Sequence, residues 1–323
     1  MLSVQVFVRF LYTVYCKRHF EECNSGRTYD KAVTKDILSF AGWSFLGNFG
    51  ITCRDQVTNI LFNVFFQTPV VNAARGIATQ VSGIISTFAT NITMAINPQI
   101  TKNYSSGNIK ESVSLVYMGC RASFYMLTLI VVPFVVNVDY VLALWLERVP
   151  ENTSLFLYFI LGVALIYSLS QPITVAIQAT GDIKAFQIWI FSLMVLEVCL
   201  TYLVLWITGS LVYALVPSVV VNFISTAVRM ALVKKKVGAY SFRQYAFDVV
   251  FRCVMVLLIS CVVAIYIHYM IGYESFVAFL GECVVLAVST IVIILLFGLK
   301  RDERLQLVSK LTMSVKRLNG RRV

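Results

Sequence analysis

Charge is scarce in this chain, histidine scarcer still, and metal-type cysteine spacing is absent. Only 13% of the 323 residues are charged and mean hydropathy is +0.79, whereas soluble domains carry about 25% charge. That excludes a soluble domain and marks an integral membrane protein. The two histidines, His19 and His268, stand at opposite ends of the sequence, which leaves no His-based catalytic or metal-binding constellation. The eight cysteines are scattered without a CxxC pair, so neither a disulfide framework nor a zinc site is expected. They read as small packing residues. No nucleophile, acid/base pair or phosphate-cradling glycine loop is present, so enzyme chemistry has no support and no cofactor is expected.

What the chain has instead is long apolar runs. Blocks at 38–66, 70–97, 113–136, 154–180, 184–208, 211–232, 247–270 and 275–299 each have the roughly 20 residues that a helix needs to cross about 30 Å of hydrocarbon. They lack the alternation of a barrel. The expected fold is therefore all-α, a polytopic transmembrane bundle of eight full spans. Pro69 joins the first two, Pro98 ends the second, Pro133 sits late in the third and Pro150 precedes the fourth; Pro172 and Pro217 fall inside spans and predict kinks or breaks. Leu2 to Tyr15 is an apolar run of 14 residues, about 21 Å as a helix and too short to cross. It reads as the end of a transmembrane helix whose start is missing.

The net charge of +11 is distributed by side rather than clustered for nucleic acid. Basic residues such as Lys31, Lys35, Lys102, Lys110, Lys184, Lys234, Lys235 and Lys236 fall on one face of the membrane, together with the whole tail from Lys300. The opposite loops hold no lysine and only Arg148. By the positive-inside rule the basic face, with the C-terminus, is cytoplasmic. In the tail, Leu305, Leu307, Val308, Leu311, Val315 and Leu318 recur at helical spacing among cations, which suits either an anionic leaflet or a solvated topology anchor.

Polar residues inside the spans are ordered. Asn48, Thr52, Asp55, Gln56, Asn59, Asn63 and Gln67 form a stripe on the first span, because residues three, four and seven apart share a helix face. Arg54 lies about 160° around the helix from Gln56 at 100° per residue, so Arg54 and Asp55 are not expected to face one cavity. On the second span Asn72, Arg75, Thr79, Ser82, Ser86, Thr90, Thr93 and Asn97 line one face. Small and hydroxyl residues there could equally form a packing seam, but Arg75 is not explained by a seam, since an arginine at mid-membrane costs about 3 kcal/mol. Shorter stripes follow: Ser114, Tyr117, Arg121, Tyr125 and Thr128; Tyr167, Gln171, Thr174 and Gln178; Glu197 and Thr201; Ser218, Asn222, Ser225 and Arg229. Arg229 and Arg252 lie near basic ends, where snorkelling is expected. Six spans thus surround a wet space, and the last two mostly face lipid. Arg54, Arg75 and Arg121 against Asp55 and Glu197 leave a cationic surplus, and guanidinium forks suit phosphate while tyrosines suit sugar or lipid.

The runs FAGWSFLGNFG, RDQVTNILFNVFF, VNAARGIATQV and AINPQITKNYSSGN, with LALWLERVPENT and IQATGDIKAFQ further on, closely resemble the C-terminal half of polysaccharide exporters of the O-antigen flippase type. These belong to the multidrug/oligosaccharidyl-lipid/polysaccharide (MATE-like) superfamily, and the resemblance runs from about Ser39 to Lys236. It implies that the eight spans correspond to helices seven to fourteen of a fourteen-helix transporter, with the N-terminal lobe absent. The implied division is a helix remnant and loop at 1–37, a six-helix lobe at 38–245, two extra helices at 246–299 and a basic tail at 300–323. The implied activity is export of undecaprenyl-diphosphate-linked oligosaccharide across the bacterial inner membrane by alternating access, with the missing lobe or a second copy as partner. Related lipid II flippases use cavity arginines for the diphosphate, one of them on helix eight. Arg75 is the nearest counterpart, supported by Arg54 and Arg121, with Asn72, Gln56, Asn59 and Asn63 as further substrate-binding candidates. Where family members tend to have a Gly-containing FFG turn, this chain has Phe65, Phe66 and Gln67. The competing readings are a cation-coupled multidrug exporter that uses Asp55 or Glu197 as its ion site, and a truncated protein that transports nothing.

Overall fold

The computed structural model describes residues 2–20, 23, 30–271, 276–300 and 303–304, in two compact units, Met1–Trp43 and Ser44–Val323. In the first unit, α1 (Leu2–His19) extends four residues beyond the expected run. It ends on Lys17, Arg18 and His19, whose charge suits a helix C-terminus, and the His19 ring stacks on Tyr15 at 4.2 Å. It is not apolar enough to stand among the candidate membrane spans. The helix α2 (Lys31–Phe66) begins in this unit, where the Asp30 carboxylate accepts from the Ala32 backbone N–H at 2.8 Å.

The second unit is all helical among its described residues: α3 (Pro69–Ser105), α4 (Ile109–Val136), α5 (Val138–Trp145), α6 (Thr153–Ser168), α7 (Gln171–Ala179), α8 (Lys184–Thr208), α9 (Leu211–Val237), α10 (Phe242–Tyr245), α11 (Arg252–Ile271) and α12 (Phe276–Ile293). The all-α polytopic bundle is as the sequence predicts, although the eight expected spans are not equivalent. Six segments are long and apolar enough to cross a membrane: 109–136, 153–179, 184–208, 211–237, 242–270 and 276–298. The hairpin of α2 and α3 is long enough, at 36 and 37 residues, but too polar to satisfy the same measure. The polar stripes are concentrated in these two helices.

Proline behaves by context. Pro69 opens α3, with Thr68 as its cap, and the Gln67 before it adopts φ +49°, a left-handed conformation that favours glycine. Pro98 does not end α3, which runs on to Ser105. Pro98 is exposed, so its ring and its missing hydrogen bond are accommodated on an open face close to the helix end. Pro217 lies within a continuous α9. At Pro172 the expected break occurs: α6 stops at Ser168 and α7 starts at Gln171. One carbonyl within that break, Leu169, accepts from the Tyr245 hydroxyl at 2.9 Å, as a backbone group without water requires.

The central helix is α4, which packs on α3, α6, α7, α11 and α12. In lipid, apolar burial adds little to helix association, so van der Waals packing and interhelical hydrogen bonds decide it. The last two helices dock on α4 through such bonds. Their ends carry facing π-helical turns, Ala246–Phe251 and Ile294–Gly298. Lys300 pairs with Asp248 at 2.6 Å, the Tyr125 hydroxyl donates to the Gly298 carbonyl at 2.9 Å, and a Cβ on Gly298 would lie 2.9 Å from the Tyr125 ring. Arg252 is not simply snorkelled: its Nη1 reaches the Leu299 carbonyl at 3.5 Å. Between α11 and α12, His268 Nδ1 meets Glu282 Oε1 at 2.8 Å. The amphipathic reading of the tail from Leu305 to Leu318 lies outside the described residues.

Candidate functional site

From Ser44 onward α2 buries only Gly47, Gly50 and Phe62, so it stands as an outer wall rather than a core helix. Two cavities open behind it. One, of about 470 Å³, lies against α6, α8 and α9 and is lined by Asn48, Arg54, Tyr167, Gln187, Glu197 and Arg229 among others. The other, of about 870 Å³, lies towards the α2–α3 turn and is lined by Arg54, Asp55, Gln56, Asn59, Arg75 and Glu197 among others. Gly47 permits the close approach at the first cavity, since a Cβ there would collide with the Gln187 carboxamide.

Four charges from three helices meet where the cavities adjoin. Arg54 Nη2 lies 3.0 Å from Asp55 Oδ1 and its Nη1 3.6 Å from Glu197 Oε2. Arg75 Nη2 lies 3.8 Å from the same Asp55 oxygen, its Nη1 donates to the Asp55 carbonyl at 3.3 Å and to Asn59 Oδ1, and its guanidinium sits 5.9 Å from the Phe62 ring centre. Helical phasing had set Arg54 and Asp55 apart, but the structure brings them together. The 100° between neighbouring positions is overcome because the long arginine side chain folds back around the helix to reach both carboxylates. Two guanidiniums against two carboxylates leave this cluster neutral.

The remaining candidates separate. Gln56 and Asn59 line the larger cavity. Asn72 donates to the Asn59 carbonyl at 3.2 Å, and its own Oδ1 has no hydrogen bond among the described residues. Asn63 is exposed and lines neither cavity. Arg121 lies apart from the other arginines, with its side chain only 4% exposed. It pairs with Glu303 and donates to the Asp248 carbonyl at 3.2 Å, so it belongs to the docking of α11 and α12 on α4. Tyr117 and Tyr125 are buried and bonded to the Ser241 and Gly298 carbonyls, which leaves Tyr167 as the cavity tyrosine among the three. The stripe on α3 also divides. Arg75 and Thr79 line the larger cavity and Ser82 the smaller, whereas Thr93 is buried against Ser123 at 3.0 Å and Gln171 at 3.4 Å as a packing seam.

Arg229 is the site residue that sequence reasoning misplaced. It does not snorkel: it is 6% exposed, donates to Ser170 Oγ at 2.7 Å and lies 5.0 Å from the Tyr167 ring centre. No carboxylate lies within 4 Å of it among the described residues, and its Nε makes no hydrogen bond there. The signal was present in the stripe Ser218, Asn222, Ser225 and Arg229, which puts the cation on the same helix face as two cavity residues, Asn222 and Ser225. Outside the membrane-spanning segments, Lys236 bonds Asp182 at 2.9 Å and holds its carboxyl below the usual range. Among the described residues no group of three or more His, Cys, Asp or Glu is placed to hold a metal.

Comparison with curated proteins and with solved structures returns no match. The MatE family matches residues 33–203, a stretch that includes α2, α3, the neutral cluster and the walls of both cavities up to α8. A multi-pass helical bundle with that match, and with polar cavities behind its most polar hairpin, belongs to the MatE family of membrane transporters.

Proposed function

We propose that the chain exports a lipid-linked anionic oligosaccharide, an undecaprenyl-diphosphate glycan of polysaccharide or O-antigen synthesis, across the bacterial inner membrane. Residues 38–245 would form the transport lobe, working against a facing lobe or a second copy, and 246–299 would be accessory helices. The observation that carries this reading is the charge of the cavity walls. Arg54, Arg75 and Arg229 stand against Asp55 and Glu197, so the walls keep one guanidinium in excess after the neutral cluster is formed. A buried cationic surplus favours an anionic cargo, and forked guanidiniums match phosphate oxygens. In this reading Arg54 and Arg75 hold the diphosphate, Gln56 and Asn59 contact the adjoining sugar, and the lipid tail stays in the bilayer. Arg75→Ala in the full chain is expected to lower surface glycan at least about tenfold, the loss of one charge-assisted contact, with protein level unchanged. Undiminished glycan would remove Arg75 from the site.

The second reading, cation-coupled drug export, draws on Asp55, whose side chain is 46% exposed beside the larger cavity. It requires drug resistance that disappears on Asp55→Asn. Both carboxylates are already engaged by arginine, which favours the glycan exporter.

A further inference from the structure

Of the cavity arginines, Arg54 and Arg75 are each satisfied by carboxylates, so an incoming phosphate must displace Asp55 or Glu197 to reach them. Arg229 requires no such exchange. Its one hydrogen bond among the described residues goes to a neutral hydroxyl, Ser170 Oγ, and the flat face of its guanidinium rests on Tyr167. Holding a buried cation this way is costly unless an anion completes it. Clamping the α6–α7 break accounts for Nη1 alone. The side chain lines the 470 Å³ cavity with its Nε unbonded, and that volume lies within the roughly 300–1,000 Å³ of small-molecule sites. Thr226 adds to the fixed geometry by donating to the same Ser170 oxygen at 3.3 Å.

We infer that Arg229, set by Ser170 and Tyr167, is the anchoring subsite for a phosphate or diphosphate group in the smaller cavity, and that the Arg54–Asp55–Arg75–Glu197 cluster engages the anion only by exchange. This rests on the reading of the chain as a transporter of an anionic lipid-linked cargo. The shared chemistry is a phosphate on a lipid, supplied either by a polyprenyl diphosphate or by a membrane phospholipid headgroup.

The test is equilibrium binding to the purified full chain in phosphatidylcholine nanodiscs, with geranylgeranyl diphosphate and phosphatidylglycerol as separate probes. Geranylgeranyl diphosphate is expected to bind wild type. Arg229→Gln should weaken it about tenfold or more, Arg229→Lys less because charge remains without the fork, and Arg75→Gln by under about threefold. Tyr167→Leu, which leaves the guanidinium in place, should weaken binding too and serves if Arg229→Gln does not fold. Unaltered affinity in Arg229→Gln, a larger loss in Arg75→Gln, or no binding of either probe would overturn the subsite. If phosphatidylglycerol alone binds, and does so through Arg229, the anion subsite stands as a headgroup site while the export reading falls. If surface glycan depends on Arg75 but neither probe senses Arg229, the export reading stands and the subsite falls.

Discussion

Arg54 bridges two carboxylates of unequal exposure, and this makes the cost of breaking the cluster depend on which member is removed. Glu197 has a side chain 11% exposed and its nearest cation is Arg54 at 3.6 Å. Asp55 is 46% exposed and keeps Arg75 at 3.8 Å if Arg54 is lost. At 3.6 Å the Coulomb attraction is about 4–5 kcal/mol for an effective dielectric of 20 and half that for a wetter site. Arg54→Gln strands a nearly buried carboxylate and is expected to cost about 3 kcal/mol. Glu197→Gln should cost about 1 kcal/mol, because Arg54 retains Asp55 at 3.0 Å. With a coupling near 2 kcal/mol, typical of contacting charges, the double variant should be more stable than Arg54→Gln alone by about 1 kcal/mol. Unfolding of the four proteins by SDS from mixed micelles measures the cycle. Additive losses, or an Arg54→Gln no worse than Glu197→Gln, would refute this arrangement of the cluster.

Three further outcomes follow from the geometry. Gln67 holds φ +49°, so Gln67→Gly should stabilise the hairpin by about 1 kcal/mol and raise the thermal midpoint, whereas Gln67→Val should lower it. Gly298→Ala presses a methyl against Tyr125 and should destabilise by about 1–3 kcal/mol, an effect relieved in calorimetry when Tyr125→Leu is added. Lys236 holds the Asp182 carboxyl below its ordinary value. The contribution of that exposed pair is therefore complete above about pH 4, the unfolded value, and is lost as pH falls through the depressed folded value. Wild type and Asp182→Asn should differ in thermal midpoint at neutral pH and converge in acid.

Helix positions were legible because hydrophobic runs report length directly: the expected 184–208 is α8, and 211–232 is α9 lacking its lysine-rich last turn. Phasing also read the stripes correctly as lines on a face. It could not say what each face meets. Arg121 sits in its span as Arg75 sits in its own, yet the acid that pairs with it, Glu303, lies 182 residues further on, in a stretch that reads as a tail. Thr93 and Thr79 share one stripe, but one packs on Ser123 and the other borders a cavity. Arg229 was assigned by its distance from a basic helix end, a rule that ignores which way the side chain points. Depth and facing are tertiary properties, and a period of 3.6 residues does not encode them.

The two π-helical turns have a consequence for indels. A π turn holds one residue more than an α turn, so everything after Ile294–Gly298 is rotated by about 100° from where an unbroken α-helix would put it. Lys300 and Glu303 reach Asp248 and Arg121 only in that rotated frame. Deleting a single residue anywhere in that turn would leave composition, hydropathy and span length nearly untouched while swinging both side chains off their counterions. The seat of the last two helices is thus set by residue count more than by residue type. Homologues that conserve the four charges but not the spacing would lack the clasp.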